Sequence, residues 1–316
     1  VFRKGVFSFA EMTNLPVDLR ERLAAAACIS RPVILARRVS KRGDTVKYLF
    51  SLQDGQAVES VLMRHDYGVS VCVSTQVGCR FACRLCASGL EGLVRSLSSG
   101  EIYDQVLGIR EDSKEHVSHL VLMGSGEPLD NYCTTLAFIK HVIAPYGLNI
   151  SPRRITLSTC GLVPGIRELA QEKLPLTLAV SLHAPNDDLR NYLMPVNRKY
   201  PLKELMMACR DYTRVTGRRV TFEYALIAGV NDKKEQAMEL GRLLSGMLCH
   251  VNLIPVNPVP ELPYRPASRE NTLAFERRLR ERGVNATLRI SRGADIQAGC
   301  GQLRRAPTEC HTIVNV

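Results

Sequence analysis

The chain has 316 residues, 45% hydrophobic and 23% charged, and its 42 basic against 31 acidic side chains give a formal charge of +11. That length allows one or two domains with a sizeable core, the composition excludes disorder, and no apolar run approaches the roughly 18 residues of a membrane-spanning helix. The positive charge favours polyanionic partners, nucleic acid first, although charge alone leaves a merely basic soluble protein equally open.

Residues 1–28 carry Phe7, Phe9, Met12, Leu15, Leu19 and Leu23 around a Thr13-Asn14-Leu15-Pro16 break, the pattern of two short amphipathic helices. The opening Val1-Phe2-Arg3-Lys4-Gly5 lacks both an initiator methionine and the apolar centre of a signal peptide. It reads as the interior of a longer chain, with 1–28 the end of a truncated helical accessory domain. Short alternating apolar segments between 33 and 63, separated by Arg42-Gly43-Asp44 and Asp54-Gly55, predict a β-meander within a 29–65 extension.

From Tyr67 the rhythm changes to apolar strands alternating with amphipathic helices, the pattern of a parallel sheet built from βα units. Six units are expected, with strands over 69–73, 119–123, 154–158, 176–183, 219–226 and 251–255. The helices fall over 99–111, 132–144, 166–171, 202–216, 233–248 and 269–281. A last strand over 287–291 completes a domain at 66–292, and 293–316 form a C-terminal segment. Right-handed crossovers permit an open doubly wound sheet or a barrel, and in both the functional groups gather at the strand C-termini.

The loop after the first of these strands holds Cys79, Cys83 and Cys86 in a CxxxCxxC spacing. Three thiolates on one loop can hold three irons of a cubane cluster and leave the fourth iron open for a ligand. The alternative is a zinc knuckle, but structural zinc usually takes four ligands at tighter paired spacings, so the open cluster is the better reading. Gly124-Ser125-Gly126-Glu127-Pro128 follows the second strand, where glycines let the backbone approach a ligand. Ser158-Thr159-Cys160-Gly161 follows the third, Ser181-Leu182-His183 ends the fourth, and Asn257 follows the sixth. Singly these are ordinary strand-end groups, and Glu127 is as readily a partner for an arginine. Together at one rim they imply a small-molecule cofactor.

Eleven cysteines, an odd number, with no secretory segment point to a reducing, cytoplasmic protein rather than a disulfide scaffold. Cys28, Cys133, Cys160, Cys209, Cys249 and Cys310 read as buried or incidental thiols. Cys72 stands apart because it ends the first strand, shortly before the three-cysteine loop. Cys300 lies among small residues in Asp295-Ile296-Gln297-Ala298-Gly299-Cys300-Gly301-Gln302, a mobile, exposed stretch able to present a nucleophile.

Taken together, these motifs resemble the radical S-adenosylmethionine (SAM) superfamily, and more narrowly its ribosomal RNA adenine methyltransferases of the RlmN/Cfr type. The resemblance covers nearly the whole chain. It rests on Cys72 through Gly89, Met123 to Leu129, Leu157 to Gly161, Val180 to Pro185, Leu193-Met194-Pro195, Thr221 to Tyr224, Val251 to Pro255 and Ile296 through Leu303. It implies a radical-SAM partial (β/α)6 barrel with an N-terminal β extension and the remnant of a helical accessory domain. Pro128 and the Thr221-Phe222-Glu223-Tyr224 segment resemble the branch that methylates adenine C2 more than the branch that methylates C8. Ser125 stands where a Met is usual, Ser88 where a Thr is usual and Gly299 where an Ala is usual; none of these removes a reactive group.

The chemistry the resemblance implies follows from adenine itself, since C2 lies between two ring nitrogens and is not a nucleophile. A radical route is therefore needed. Cys79, Cys83 and Cys86 would hold one [4Fe-4S] cluster, with S-adenosylmethionine on the open iron and Gly126, Glu127, Ser158, Ser181, Leu182, His183 and Asn257 around it. Of two cofactor molecules used per turnover, one would methylate Cys300 and the radical from the other would activate that methyl, which adds to C2. Glu59 would accept the C2 proton, or be only a solvated strand carboxylate. Cys72 would attack Cys300 and release the base through a transient disulfide.

The implied partners are 23S ribosomal RNA, transfer RNA as a second candidate, and a low-potential donor such as flavodoxin or ferredoxin, for a cytoplasmic monomer without a membrane. Basic pairs at Arg37-Arg38, Lys41-Arg42, Arg153-Arg154, Arg198-Lys199, Arg218-Arg219, Arg277-Arg278 and Arg304-Arg305 would grip phosphates, or are ordinary solvated faces. The target adenosine is expected to be splayed out of its RNA. Methylation at C8 and a non-catalytic, metal-stapled RNA-binding module are the competing readings.

Overall fold

A computed structural model describes residues 6–27, 29, 32–289 and 291–304; Cys28, Cys310 and Arg305 lie outside them. Four strands open the main sheet: β1 (Val33–Val39), β2 (Thr45–Ser51), β3 (Ala57–His65) and β4 (Gly68–Cys72). They pair antiparallel in sequence order, the meander that the alternating segments and glycine turns predict. A small separate hairpin of β5 (Gln76–Gly78) and β6 (Leu93–Ser96) follows. The main sheet then resumes with β7 (Val117–Leu122), β8 (Ile155–Thr159), β9 (Thr177–Ser181), β10 (Val220–Leu226), β11 (Cys249–Pro255) and β12 (Ala286–Leu288).

From β4 onward every pairing in that sheet is parallel, and each new strand lies beside its predecessor. A doubly wound sheet would reverse direction at a switch point. This order never reverses and ends with β1 and β12 on opposite edges, so the fold is a partial (β/α)6 barrel whose wall the meander prolongs. Strands covered on both faces need apolar residues on both, and all seven residues of β10 are buried.

The helices are α1 (Val17–Ala26), α2 (Ser99–Ser113), α3 (Tyr132–Ile143), α4 (Val163–Gln171), α5 (Asp187–Leu193), α6 (Leu202–Thr216), α7 (Lys234–Leu244) and α8 (Arg269–Glu281). Local chemistry sets their ends. Ser98 and Glu101 form a reciprocal capping box at the start of α2. Gly217, with φ of +65°, ends α6. α4 begins earlier than the apolar period indicates because Pro164 is acceptable in a first turn. α7 stops at Leu244, short of the expected 248, and Gly246 follows with φ of +69°. Of the two short N-terminal helices expected, one is α1 and the other a single 3-10 turn at Phe9–Glu11; neither contains a buried residue. Among the described residues no helix is long and apolar enough to cross a membrane.

Candidate active site

The three-cysteine loop is pinched at its base by the β5–β6 hairpin, where the Cys79 amide donates to the Gly92 carbonyl (3.0 Å). Within it the Cys86 amide donates to the Cys83 carbonyl (3.1 Å), and Ala82 takes a left-handed φ of +46°. The Arg84 amide ties the loop to Leu193 O at the end of α5 (2.9 Å). All three thiols are half-buried and line one cavity of about 150 Å³. Burial pushes the Cys79 thiol up to about 12 and the Cys83 thiol well up, with the neighbouring cysteines adding. Thiolates can exist there only beside a compensating cation, which is the environment an iron–sulfur cluster provides. Among the described residues no three His, Cys, Asp or Glu side chains are grouped so as to hold a metal ion. The three thiols instead share the wall of a cavity. An all-thiol wall suits a polynuclear iron–sulfur cluster better than the zinc knuckle.

The opposite wall of this cavity comes from the strand ends. Gly126, Glu127, Ser158, Ser181, His183 and Asn257 all line it. Among the described residues Glu127 pairs with no arginine. Its carboxylate accepts the backbone amides of Cys160 (2.7 Å) and Leu129 (3.0 Å), and burial raises its pKa. Gly126 has φ of +102° and packs so closely that a Cβ would lie 2.6 Å from Gln76 Cβ. His183, also left-handed at φ of +56°, accepts the Ala225 amide on Nδ1 (2.9 Å), and burial drives its pKa down to about 3. Leu182 faces elsewhere. It is fully buried in the main core and lines neither cavity, and its amide donates to Glu223 O (3.0 Å).

Beneath these strand ends lies Arg190, which nothing in the sequence singles out and which is fully buried. Its guanidinium donates to the carbonyls of Leu182 (3.2 Å), Cys160 (2.7 Å) and Ser181 (3.1 Å) and to Asn197 Oδ1 (2.8 Å). It thereby ties three rim segments together from below.

Cys300 lines both this cavity and a larger one of about 380 Å³. The residue is accessible to solvent, yet its surroundings are protein, so burial pushes its thiol up to about 11, with Glu223 adding. A narrow space wetted on one side accounts for both facts. Cys72 lines only the larger cavity, in an apolar patch with Val61, Ala298 and Leu303, and burial followed by the nearby Cys300 raises its thiol to about 12. Both are free thiols. Arg153, Arg154 and Arg219 from the anticipated basic pairs line the larger cavity, joined by Arg289 and Arg292, which the sequence did not single out. Arg37 instead pairs with Asp112 (2.9 Å) on the surface, where an ion pair contributes at most about 1 kcal/mol.

Glu59 lines neither cavity. It is buried beneath residues 291–304, paired with Lys47 (2.6 Å) and accepting the Arg304 amide (3.0 Å). That strap is stitched down at other points as well. Gly301 O accepts the Ala87 amide (2.7 Å), Ser88 Oγ donates to Leu303 O (2.6 Å), and Asn257 Nδ2 donates to Cys300 O (3.0 Å). Gly299 makes the last contact possible, because a Cβ there would lie 2.6 Å from Asn257 Nδ2.

A partial barrel with a three-cysteine loop and a polar strand-end cavity at one rim defines the radical SAM class of enzyme. The Radical SAM superfamily model matches residues 73–241. A protein of Pelotomaculum thermopropionicum named "Probable dual-specificity RNA methyltransferase RlmN" is 69% identical over 306 residues, covering 96% of this chain and 83% of that one. A protein of the same name from Desulforudis audaxviator is 63% identical, covering 96% of both chains. The crystal structure of a radical SAM methyltransferase from Sphaerobacter thermophilus superposes with a TM-score of 0.92 at 48% identity, covering 96% of this chain and 90% of that one. The chain belongs to the RlmN family of radical SAM RNA methyltransferases, whose cofactors are a [4Fe-4S] cluster and S-adenosylmethionine.

Proposed function

We propose that this enzyme methylates C2 of an adenosine in 23S ribosomal RNA, and of one in transfer RNA, through a methyl group carried on Cys300. The observation that carries the reading is the position of Cys300 as a shared wall residue of two cavities, one lined by the three-cysteine loop and one lined by arginines. In this reading Cys79, Cys83 and Cys86 hold the cluster, and Gly126, Glu127, Ser158, Ser181, His183 and Asn257 surround S-adenosylmethionine; Leu182 contributes backbone alone. When bound, the cluster and cofactor supply a transferable methyl group and, after one-electron reduction by a low-potential donor, radical chemistry.

Cys300 accepts the methyl on its sulfur and presents it to the base. The splayed adenosine occupies the larger cavity, whose arginines neutralise phosphates, and the reaction takes place in the cytoplasm, where the RNA is. Glu59 takes the C2 proton once the strap shifts to uncover it. Cys72, as its thiolate, then attacks the Cys300 sulfur and breaks the sulfur–carbon bond; the carbon leaves with the electron pair and takes up a proton as the methyl of the base, and the Cys72–Cys300 disulfide left behind is reduced by an external thiol before the next turnover. The "dual-specificity" in the relatives' names supports two classes of RNA substrate.

The test uses Cys300→Ala and Cys72→Ala with ribosomal and transfer RNA. The first should lose methylation while keeping iron content and cluster absorption; the second should accumulate a protein–RNA adduct. Methylation retained in Cys300→Ala would sink the mechanism, and 8-methyladenosine in the digested RNA would sink the C2 assignment.

A further inference from the structure

The strap 291–304 contains no regular structure beyond the 3-10 turn Ala294–Ile296, so the groups that grip it decide where Cys300 sits. Some of these belong to the cofactor rim. The meander holds it from the far side: the Lys41 amide donates to Asp295 (2.8 Å) and Arg292 meets Asp44 (2.8 Å), both in exposed positions N-terminal to Cys300, and one further grip is buried and reaches past it. Lys47 on β2 lies diagonally across from Glu59 on β3, within reach for long side chains on one face of an antiparallel pair. Their charged groups meet at 2.6 Å with side-chain exposures of only 9% and 10%. The same ammonium donates to Gln297 O (3.2 Å), while the other carboxylate oxygen accepts the Arg304 amide (3.0 Å). A single buried ion pair therefore holds the strap on both sides of Cys300.

Burying two charges is expensive, and a well-packed apolar pair of similar size usually serves stability as well or better. What an apolar pair cannot do is donate to one strap carbonyl and accept from one strap amide. Neither residue lines either of the two cavities of the site, so neither faces the space proposed for cofactor or substrate in this arrangement.

We infer that Lys47 is a positioning residue for Cys300. It joins Glu59 to the Gln297 carbonyl so that the strap presents the thiol between the two cavities, and its release lets go of Cys300 and uncovers Glu59 in one movement. Cys300 has to meet a methyl donor, a base and Cys72 in turn, and a tether that opens as a unit permits that sequence. This purpose rests on Cys300 being the methyl carrier; the tether itself does not.

The experiment compares wild type, Lys47→Met, Lys47→Arg and the double variant Lys47→Met/Glu59→Gln as cluster-loaded enzymes. Hydrogen exchange of the strap peptide is followed beside that of an α6 peptide. Transfer of labelled methyl to Cys300 and the dissociation constant for S-adenosylmethionine are measured on the same proteins. Lys47→Met should speed strap exchange at least about tenfold, the factor that about 1.4 kcal/mol represents. It should slow Cys300 methylation by a similar factor with unchanged cofactor affinity, and Lys47→Arg should restore both. Strap exchange within about twofold of wild type, or cofactor affinity falling in step with methylation, overturns the inference. If α6 exchange also rises in Lys47→Met, the double variant decides: with both charges gone, the same strap acceleration is required, and its absence overturns the inference. RNA methylation surviving in Cys300→Ala would overturn the carrier reading alone and leave the strap result standing.

Discussion

Replacing His183 by Asn isolates one buried titration. In the folded protein Nδ1 accepts the Ala225 amide, so protonating it would set a donor against a donor, and burial lowers the pKa from 6.5 to about 3. A depressed pKa contributes stability that is present above the unfolded value and lost as pH falls toward the folded one. The window is therefore about pH 6.5 down to about 3. At about pH 5 the unfolded chain gains a proton that the folded one refuses, and at 1.36 kcal/mol per pKa unit the loss relative to about pH 8 is roughly 2 kcal/mol. Asn suits the test because its Oδ1 stands where Nδ1 stood and because Asn tolerates the left-handed φ of +56°. Loss of the ring lowers stability at every pH, so the quantity to read is the slope. Urea unfolding of both proteins across this range should show wild type losing roughly 2 kcal/mol more than His183→Asn between about pH 8 and 5. The partly buried His65, His119 and His250, whose pKa values are also lowered, titrate in both proteins and cancel. Parallel losses in the two proteins would refute the reasoning.

Two further expectations concern the rim. Gly126→Ala forces a side chain onto φ of +102° and against Gln76; it should cost roughly 1–3 kcal/mol in stability and weaken S-adenosylmethionine binding at least about tenfold, measured by calorimetry on reconstituted enzyme. Arg190→Met strips donors from three buried acceptors and from the partly buried Ser181 carbonyl and should lower stability by roughly 3–5 kcal/mol in thermal unfolding; a change under about 1 kcal/mol would show that those acceptors find other partners.

The parallel βα sheet was legible because apolar strands and amphipathic helices alternate at regular intervals from Tyr67 onward, and α6 and α8 fall where their periodicity puts them; periodicity left open sheet and barrel both allowed, and only the resemblance chose the barrel. The short elements were not. α5 spans only seven residues, rich in charge, and its start is set by Asn186 accepting the Leu189 amide; seven residues carry too little period to be distinguished from a loop. Arg190, within it, reads as a surface residue because its four acceptors come from segments that only the fold brings together. Three of the site cysteines declared themselves by spacing, a local signal. Lys47 had none, since a lysine in an alternating strand looks like its solvated face, and the group that buries it lies 250 positions away. Glu59 was noticed only by resemblance, and its partners explain why it stands apart from the cavities.

The sequential strand order gives the molecule a direction of assembly. A ribosome releases the chain from its N-terminus, and each unit can dock on the edge its predecessor has just left, so most of the barrel can form from neighbours already synthesised. The strap is the exception. Its contacts reach back 245 and 250 positions, to strands made near the beginning, and such distant closures come late in folding. A nascent chain can thus complete the cysteine loop and the cofactor rim well before Cys300 is in place. If Cys300 is the methyl carrier proposed above, its sulfur is put in place after the loop and the rim that would generate the radical, so the order of folding keeps acceptor and source apart until both are built.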